Sequence, residues 1–338
     1  MLETWKKAVV HLECATDSEH FYDRIRRIDE LREKLDRGVI SQEEFGNELV
    51  SRSRDIRYHG TALFMIHKDR RYLLTARHVV FDEVSARREL QEEIQRASSW
   101  PENMRKSLIQ SAIERAENRI FNIIFRVPSL DEIIKYGPEA HRKFLMNLGA
   151  GPSFTAPYTF SSPDLDLALI SLDQRDSRFA DQLLELGHKP ISFDAIEDGP
   201  SCEGCEVFTV GYPSPTALIG QVSLHPAYRH WSSSYFSLPV FSFGRVSMMH
   251  DQLPFYWIDM SIYPGNSGGP VIENNKLVGV VSAQAILPAD SNPNVKTRIP
   301  FGKIIKAKYV HELLQVQEQK DHIKNDMQKR STISNNSG

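Results

Sequence analysis

Short apolar runs recur along this chain, and most of them lie close to turn-forming residues. They occupy positions 8–12, 61–66, 72–75, 167–170, 207–210 and 277–281. Apolar runs of this length beside Gly, Pro, Asp or Asn are typical of β-strands that end in turns. Because these runs are spread over most of the sequence, they predict a mainly β protein.

Two charged segments interrupt this pattern. Between about 17 and 57, apolar residues recur at three- and four-residue spacing among charges, as in an amphipathic helix: Phe21, Ile25, Ile28 and Leu31. Ser41 and Glu44 have the spacing of a capping box, which predicts the start of a second helix. From about 82 to 120 the same pattern returns, and Pro101 divides it into two helices. We therefore expect two helical insertions in an otherwise all-β chain.

The composition excludes several classes of protein. The chain has 338 residues, of which 41% are hydrophobic, enough for a sizeable core. Its net charge of −3 argues against a nucleic-acid-binding body, because such proteins carry a basic excess on one face. No apolar run approaches the roughly 18–20 residues that span a bilayer, and the first residues lack the apolar stretch of a signal peptide. Three cysteines are too few for a disulfide framework. We expect a cytoplasmic protein without nucleic-acid or membrane partners, with a polar, disordered tail from 315 to 338.

The strongest chemical signal is a serine between glycines, in the segment Tyr-Pro-Gly-Asn-Ser-Gly-Gly-Pro at 263–270. A serine hydroxyl is a poor nucleophile until a base takes its proton and backbone N–H groups stabilise the oxyanion. Glycine before and after Ser267 allows a tight turn in which the amides of Gly265 and Ser267 face a substrate carbonyl. The alternative is a glycine-rich turn with an incidental serine.

With this motif the sequence resembles the trypsin-like serine proteases, in particular the HtrA/Deg-like branch, whose nucleophile motif is Gly-Asn-Ser-Gly-Gly-Pro. The resemblance implies a mainly β, two-barrel fold over residues 1–314, with a second barrel from about 200. It also assigns the base to His78, in Thr75-Ala-Arg-His-Val79, since the family carries Thr-Ala-x-His-Val. An imidazole suits this role because its pKa lies near neutrality.

The resemblance assigns the acid to Asp166, because the family's acid begins an Asp-apolar-Ala-apolar-apolar strand such as 166–170. Asp164 is the alternative, with the ordinary role of capping a turn after Pro163. The acid would hold the imidazole tautomer and stabilise the imidazolium. The order His78, Asp166, Ser267 is that of chymotrypsin-type proteases and differs from those of subtilisins and α/β-hydrolases. The likeness extends over about residues 60–82 and 160–285.

The resemblance also predicts a substrate pocket, lined from Ser261, Ile262, Tyr263, Ser282, Ala283 and Gln284. Cleavage after Arg or Lys requires an acid six residues before the nucleophile, and that position is Ser261. We therefore expect small or medium apolar substrate side chains. No metal or organic cofactor is expected. Cys202 and Cys205 have the spacing of half a zinc site, but a second ligand pair is missing.

Two features depart from the family core. The helical insertions are not part of it, and no PDZ-like domain follows, although many HtrA relatives carry one. We expect a serine endopeptidase acting on protein or peptide substrates, gated by its helical insertions or by a regulatory partner bound to them. The alternatives are a catalytically silent protease-fold binding module and an esterase without proteolytic function.

Overall fold

The computed structural model describes residues 1–17, 21–51, 55–126, 143–146, 148, 153–174, 178–214, 218–221, 235–289 and 292–335. The N-terminal strands, in chain order, are β1 (Val9–Asp17), β2 (Asp55–His67), β3 (Arg70–Ala76), β4 (Asn122–Arg126), β5 (Lys143–Met146), β6 (Tyr158–Phe160), β7 (Leu167–Ser171) and β8 (Ile191–Ser192). The C-terminal strands are β9 (Glu206–Gly211), β10 (Leu218–Gln221), β11 (Tyr235–Ser237), β12 (Val240–Met249), β13 (Phe255–Ile258), β14 (Pro270–Glu273), β15 (Lys276–Ala289) and β16 (Asn292–Lys306). The helices are α1 (Leu2–Ala8), α2 (Phe21–Asp36), α3 (Gln42–Ser51), α4 (Arg77–Val80), α5 (Glu83–Ala97), α6 (Glu102–Glu117), α7 (Arg178–Glu185) and α8 (Tyr309–Asn335).

The strands form two main units. Strands β1 to β8 make an eight-stranded sheet in which β5-β4-β1-β2-β3-β7-β6 are neighbours and β8 pairs with β2; we call it the N-terminal sheet. Six later strands, β12-β13-β16-β15-β14-β9, close into a barrel, which we call the C-terminal barrel. The prediction of a mainly β fold with helical insertions is confirmed.

One apolar cluster joins the two units. It contains residues of the N-terminal sheet such as Leu63 and Tyr72, and residues of the C-terminal barrel such as Val210 and Ile305. Separate clusters fill the rest of each unit. Burial of a shared core fixes the two units relative to each other, so residues from both can form one site.

A buried ring stack lies on the same boundary. His11 of β1 stacks on His59 of β2, with 5.4 Å between ring centroids, and its ring is tilted by 31° against that of Tyr212, just after β9, at 5.0 Å. Burial, and secondarily the nearby His59, lowers the pKa of His11 to about 3. His11 is therefore neutral near pH 7 and serves as an apolar packing element between the units.

The helices occupy the two charged segments. The pair α2–α3 lies between the paired strands β1 and β2, and the Ser41 amide donates to Glu44 Oε2 (2.8 Å), as the capping box predicts. The pair α5–α6 forms a helical hairpin that follows α4 directly. Arg115 of α6 pairs with Glu93 of α5 (3.9 Å), and Arg119, just after α6, pairs with Glu89 of α5 (3.0 Å).

The expectation of a disordered tail from 315 is wrong as far as Asn335, and residues 336–338 lie outside the described residues. Helix α8 continues to Asn335, and Gln317 and Asp321 are buried although both are polar. Thr159 Oγ1 donates to Gln317 Oε1 (2.9 Å), and Ser171 Oγ donates to Asp321 Oδ2 (3.0 Å). The N-terminal sheet thus supplies the partners that make polar burial tolerable. No helix among the described residues is long and apolar enough to cross a membrane.

Candidate active site

Strand pairing places His78 next to Asp166. In the β3–β7 pair, Ala76 lies opposite Leu167, so the residues just beyond these strand ends are neighbours. His78 is in the short helix α4, and Asp166 is the last residue before β7. His78 Nδ1 lies 2.7 Å from Asp166 Oδ2. Asp164 is exposed and makes no such contact, so the structure brings together the pair that the resemblance selected.

The Asp166 carboxylate is fixed by several donors. Its Oδ1 accepts the backbone N–H of His78 (2.9 Å), and its Oδ2 also accepts the Ser282 hydroxyl (2.6 Å). The Asp166 carbonyl accepts the Arg77 N–H (3.0 Å), although the residue has a left-handed φ of 47°. Because the carboxylate accepts from His78 Nδ1, that nitrogen carries the proton and Nε2 keeps its lone pair. The imidazole can therefore act as a base through Nε2.

Ser267 lies in a loop between β13 and β14 that begins with a tight turn. The Asn266 N–H donates to the Tyr263 carbonyl (3.0 Å), with Pro264 and Gly265 in the central positions. Gly265 has φ 99°, as the third residue of a type II turn requires. A Cβ there would lie 2.2 Å from the Tyr212 carbonyl oxygen, so only glycine fits.

Thr61 of β2 fixes this loop to the N-terminal sheet. Its N–H donates to the Ser267 carbonyl (2.9 Å), and its hydroxyl donates to the Gly265 carbonyl (2.7 Å). The N–H groups of Gly265 and Ser267 share peptide planes with the Pro264 and Asn266 carbonyls, which accept from the Ser214 N–H (2.8 Å) and the Gly269 N–H (2.8 Å). Because N–H and C=O point in opposite directions in a trans peptide, the two N–H groups face away from those donors. Neither amide donates a hydrogen bond to any residue that the structure describes. Two free amides beside a serine hydroxyl can bind an oxyanion.

The Ser267 hydroxyl does not yet contact the base. It donates to the Ser282 carbonyl at 3.3 Å, and within the described part of the chain it forms no hydrogen bond with His78. In unliganded sites, catalytic hydrogen bonds are often long or unformed and tighten when substrate binds. The hydrogen bond between Asp166 and His78 is therefore formed, whereas the hydrogen bond between His78 and Ser267 is not.

A cleft of about 380 Å³ adjoins these residues. Of the six predicted pocket residues, five line it: Ile262, Tyr263, Ser282, Ala283 and Gln284. Ser261 does not line the cleft; it is exposed, and the next residue, Ile262, takes the inward position. The lining also includes Ile286 and Arg298, which the sequence did not indicate. These two are cross-strand partners in the β15–β16 pair, a register that depends on bulges and cannot be read from the sequence.

The described residues contain no cluster of His, Cys, Asp or Glu arranged to bind a metal ion. Cys202 and Cys205 are free thiols in the loop before β9. Burial raises the pKa of the Cys205 thiol, which favours its protonated form.

The comparisons with known proteins agree with this fold. The family model of the trypsin-like peptidase domain matches residues 60–280, which include His78, Asp166 and Ser267. The chain therefore belongs to the trypsin-like peptidase family. No curated protein sequence matches it.

Two of the solved structures that match have low sequence identity to this chain. Human heparin binding protein is 12% identical with a TM-score of 0.37, over 76% of this chain and 86% of that chain. Another solved structure is 13% identical. It concerns aromatic interactions that drive the coupled folding and binding of the intrinsically disordered Sesbania mosaic virus VPg protein. Its TM-score is 0.35, over 74% of this chain and 81% of that chain.

Proposed function

We propose that this protein is a serine endopeptidase that hydrolyses peptide bonds through an acyl-enzyme. The observation that carries the proposal is the His78–Asp166 pair at 2.7 Å, in a cleft that also contains Ser267 and its two free neighbouring amides. Membership of the trypsin-like peptidase family supports the same reaction class.

In the proposed reaction, Ser267 Oγ attacks the carbonyl carbon of the substrate while His78 Nε2 takes the hydroxyl proton. The amides of Gly265 and Ser267 hold the oxygen that becomes negative. His78 then gives the proton to the leaving amine, the C–N bond breaks, and the acyl group stays on Ser267. A water molecule, deprotonated by His78, hydrolyses this ester and releases the acid.

Asp166 acts in this scheme by orienting the base. Its carboxylate holds His78 Nδ1–H and stabilises the imidazolium that forms in both steps. The Ser267 side chain must first rotate from the Ser282 carbonyl toward His78, a movement about one bond. Substrate binding, which excludes water from the cleft, would favour that rotation.

We place the protein in the HtrA/Deg-like branch on the strength of its Gly-Asn-Ser-Gly-Gly-Pro segment, and we propose that its activity is gated. The support for gating is that the α5–α6 hairpin begins at Glu83, five residues after His78. The hairpin also exposes large apolar side chains that a regulatory protein could cover: Ile94, Trp100, Met104 and Leu108.

Labelling with a fluorophosphonate probe tests the central proposal. We expect covalent labelling of the native protein, and its loss in Ser267→Ala and His78→Ala. Asp164→Ala is the matched control, because Asp164 is exposed and lies two residues from Asp166. If the folded native protein is not labelled and cleaves no peptide, the proposal is wrong and a catalytically silent binding module is favoured. Cleavage of esters but not of peptides would instead indicate an esterase.

A further inference from the structure

The far wall of the cleft carries a cation. Arg298 of β16 lines the same cleft as Ser267, beside its cross-strand partner Ile286. Its side chain is exposed and forms no ion pair or hydrogen bond with the residues that the structure describes. A guanidinium without a counter-ion, at the edge of a cleft, is suited to bind a carboxylate through two parallel N–H donors.

The donors of Ser282 and Gln284 on this wall are already engaged. The Ser282 hydroxyl donates to Asp166, and Gln284 Nε2 donates to the Ile299 carbonyl (3.1 Å). The acidic lining residue, Asp166, is held by His78 and Ser282. Arg298 is therefore the charged donor on this wall that is left for a ligand.

The strands that carry Arg298 and Ile286 contain no acidic residue. Strands β15 and β16 contain no Asp or Glu, and they carry five basic residues: Lys276, Lys296, Arg298, Lys303 and Lys306. Arg298 therefore has no acidic neighbour on these two strands that would compete for its guanidinium. Of the other basic residues, Lys276 pairs with Glu197 (3.6 Å) and Lys306 is buried.

We propose that this cleft takes an acidic side chain, so that the protein cleaves after Glu or Asp, with Arg298 as the residue that determines specificity. The inference rests on the proposed peptidase function and names its substrate class. It replaces the expectation of small or medium apolar side chains, because that expectation rests on position 261, and Ser261 does not line the cleft whereas Arg298 does. Ile286 supports the aliphatic part of the acidic side chain, while Arg298 binds its carboxylate.

The test compares peptides that differ only in the residue before the cleaved bond: Glu, Gln or Leu. We expect the native protein to favour Glu over Gln in kcat/KM by about 10- to 100-fold, the usual effect of a hydrogen bond to a charged group. Arg298→Gln should reduce this ratio to about one, because its side chain can no longer pair with the carboxylate of Glu. Lys296→Gln, on the same strand but outside the cleft, should keep the native ratio.

A binding measurement separates this inference from the proposed function. In the Ser267→Ala protein, fluorescence anisotropy should show tighter binding of the Glu peptide than of the Gln peptide, and Arg298→Gln should abolish the difference. If the native protein cleaves the Gln and Leu peptides but shows no preference for Glu, the inference is wrong and the peptidase function stands. If nothing is cleaved or labelled while the Arg298-dependent binding difference persists, the function is wrong and the assignment of the cleft stands.

Discussion

At the scale of single residues, the nucleophile loop depends on glycine. Gly268 has φ 84°, and a Cβ there would lie 2.1 Å from the Thr61 carbonyl oxygen. Gly187 has a similar φ of 90°, but nothing lies within 4 Å of its Cβ position. Substituting Gly187 therefore measures only the free-energy cost of a left-handed backbone, whereas substituting Gly268 adds the cost of a steric clash.

We predict that Gly268→Ala lowers the free energy of unfolding by at least about 3 kcal/mol and abolishes probe labelling, because the loop must move away from Thr61. Gly187→Ala should cost only about 1–2 kcal/mol, the strain of a left-handed alanine, and keep labelling. Urea unfolding and probe labelling of both variants provide the check. Equal stability losses would show that the contact with Thr61 does not constrain the loop.

The sequence predicts those residues of the site that lie in recognisable local motifs. His78 and Ser267 lie in motifs that can be recognised from the sequence. The strand pattern that follows Asp166 favours it over Asp164 as the acid. The Ser282–Asp166 hydrogen bond and the position of Arg298 could not be predicted in this way. Both depend on the register of β15, where bulges between Val281 and Ala283 and between Gln284 and Ile286 change which side chains face the cleft.

At the scale of elements, helix α8 shows why a polar segment can fold. Asp321 is buried, and it accepts hydrogen bonds from Arg70 Nη1 (3.2 Å), Ser171 Oγ (3.0 Å) and Gln317 Nε2 (2.8 Å). Burial raises the pKa of Asp321, while its donors oppose that rise. Composition alone predicted disorder here, because it cannot reveal that the N-terminal sheet offers matching partners.

We predict that Asp321→Ala lowers the free energy of unfolding by about 2–4 kcal/mol, because it leaves Arg70, Ser171 and Gln317 without their shared acceptor. The matched control is Asp326→Ala, an exposed position on the same helix, which should change stability by less than about 0.5 kcal/mol. Both values come from urea unfolding at pH 7. A loss as small as that of the control would mean that α8 is not anchored through Asp321.

At the scale of the whole molecule, the site exists only where the two units meet. The N-terminal sheet supplies His78 and Asp166, and the C-terminal barrel supplies Ser282 and the loop that carries Ser267. The bonds that cross the boundary at the site include those of Ser282 to Asp166 and of Thr61 to the nucleophile loop. Short apolar runs beside turn residues predicted the strands, but the orientation of one unit on the other comes from the shared apolar cluster, which no local pattern reveals.

The helical hairpin α5–α6 follows the helix that contains His78, and the last prediction concerns its effect on the site. Its base is held by the Phe121 N–H to Val80 carbonyl bond (2.9 Å), so the segment after His78 can close without the hairpin. If the hairpin restrains the site, deleting 85–119 should raise the rate of probe labelling by about fivefold or more, as expected for a coupling of at least 1 kcal/mol. The deletion variant should keep the native β-sheet circular dichroism, and Glu102→Gln, exposed at the start of α6, should label at the native rate. A folded deletion variant that labels at the native rate would show that the hairpin does not gate the site.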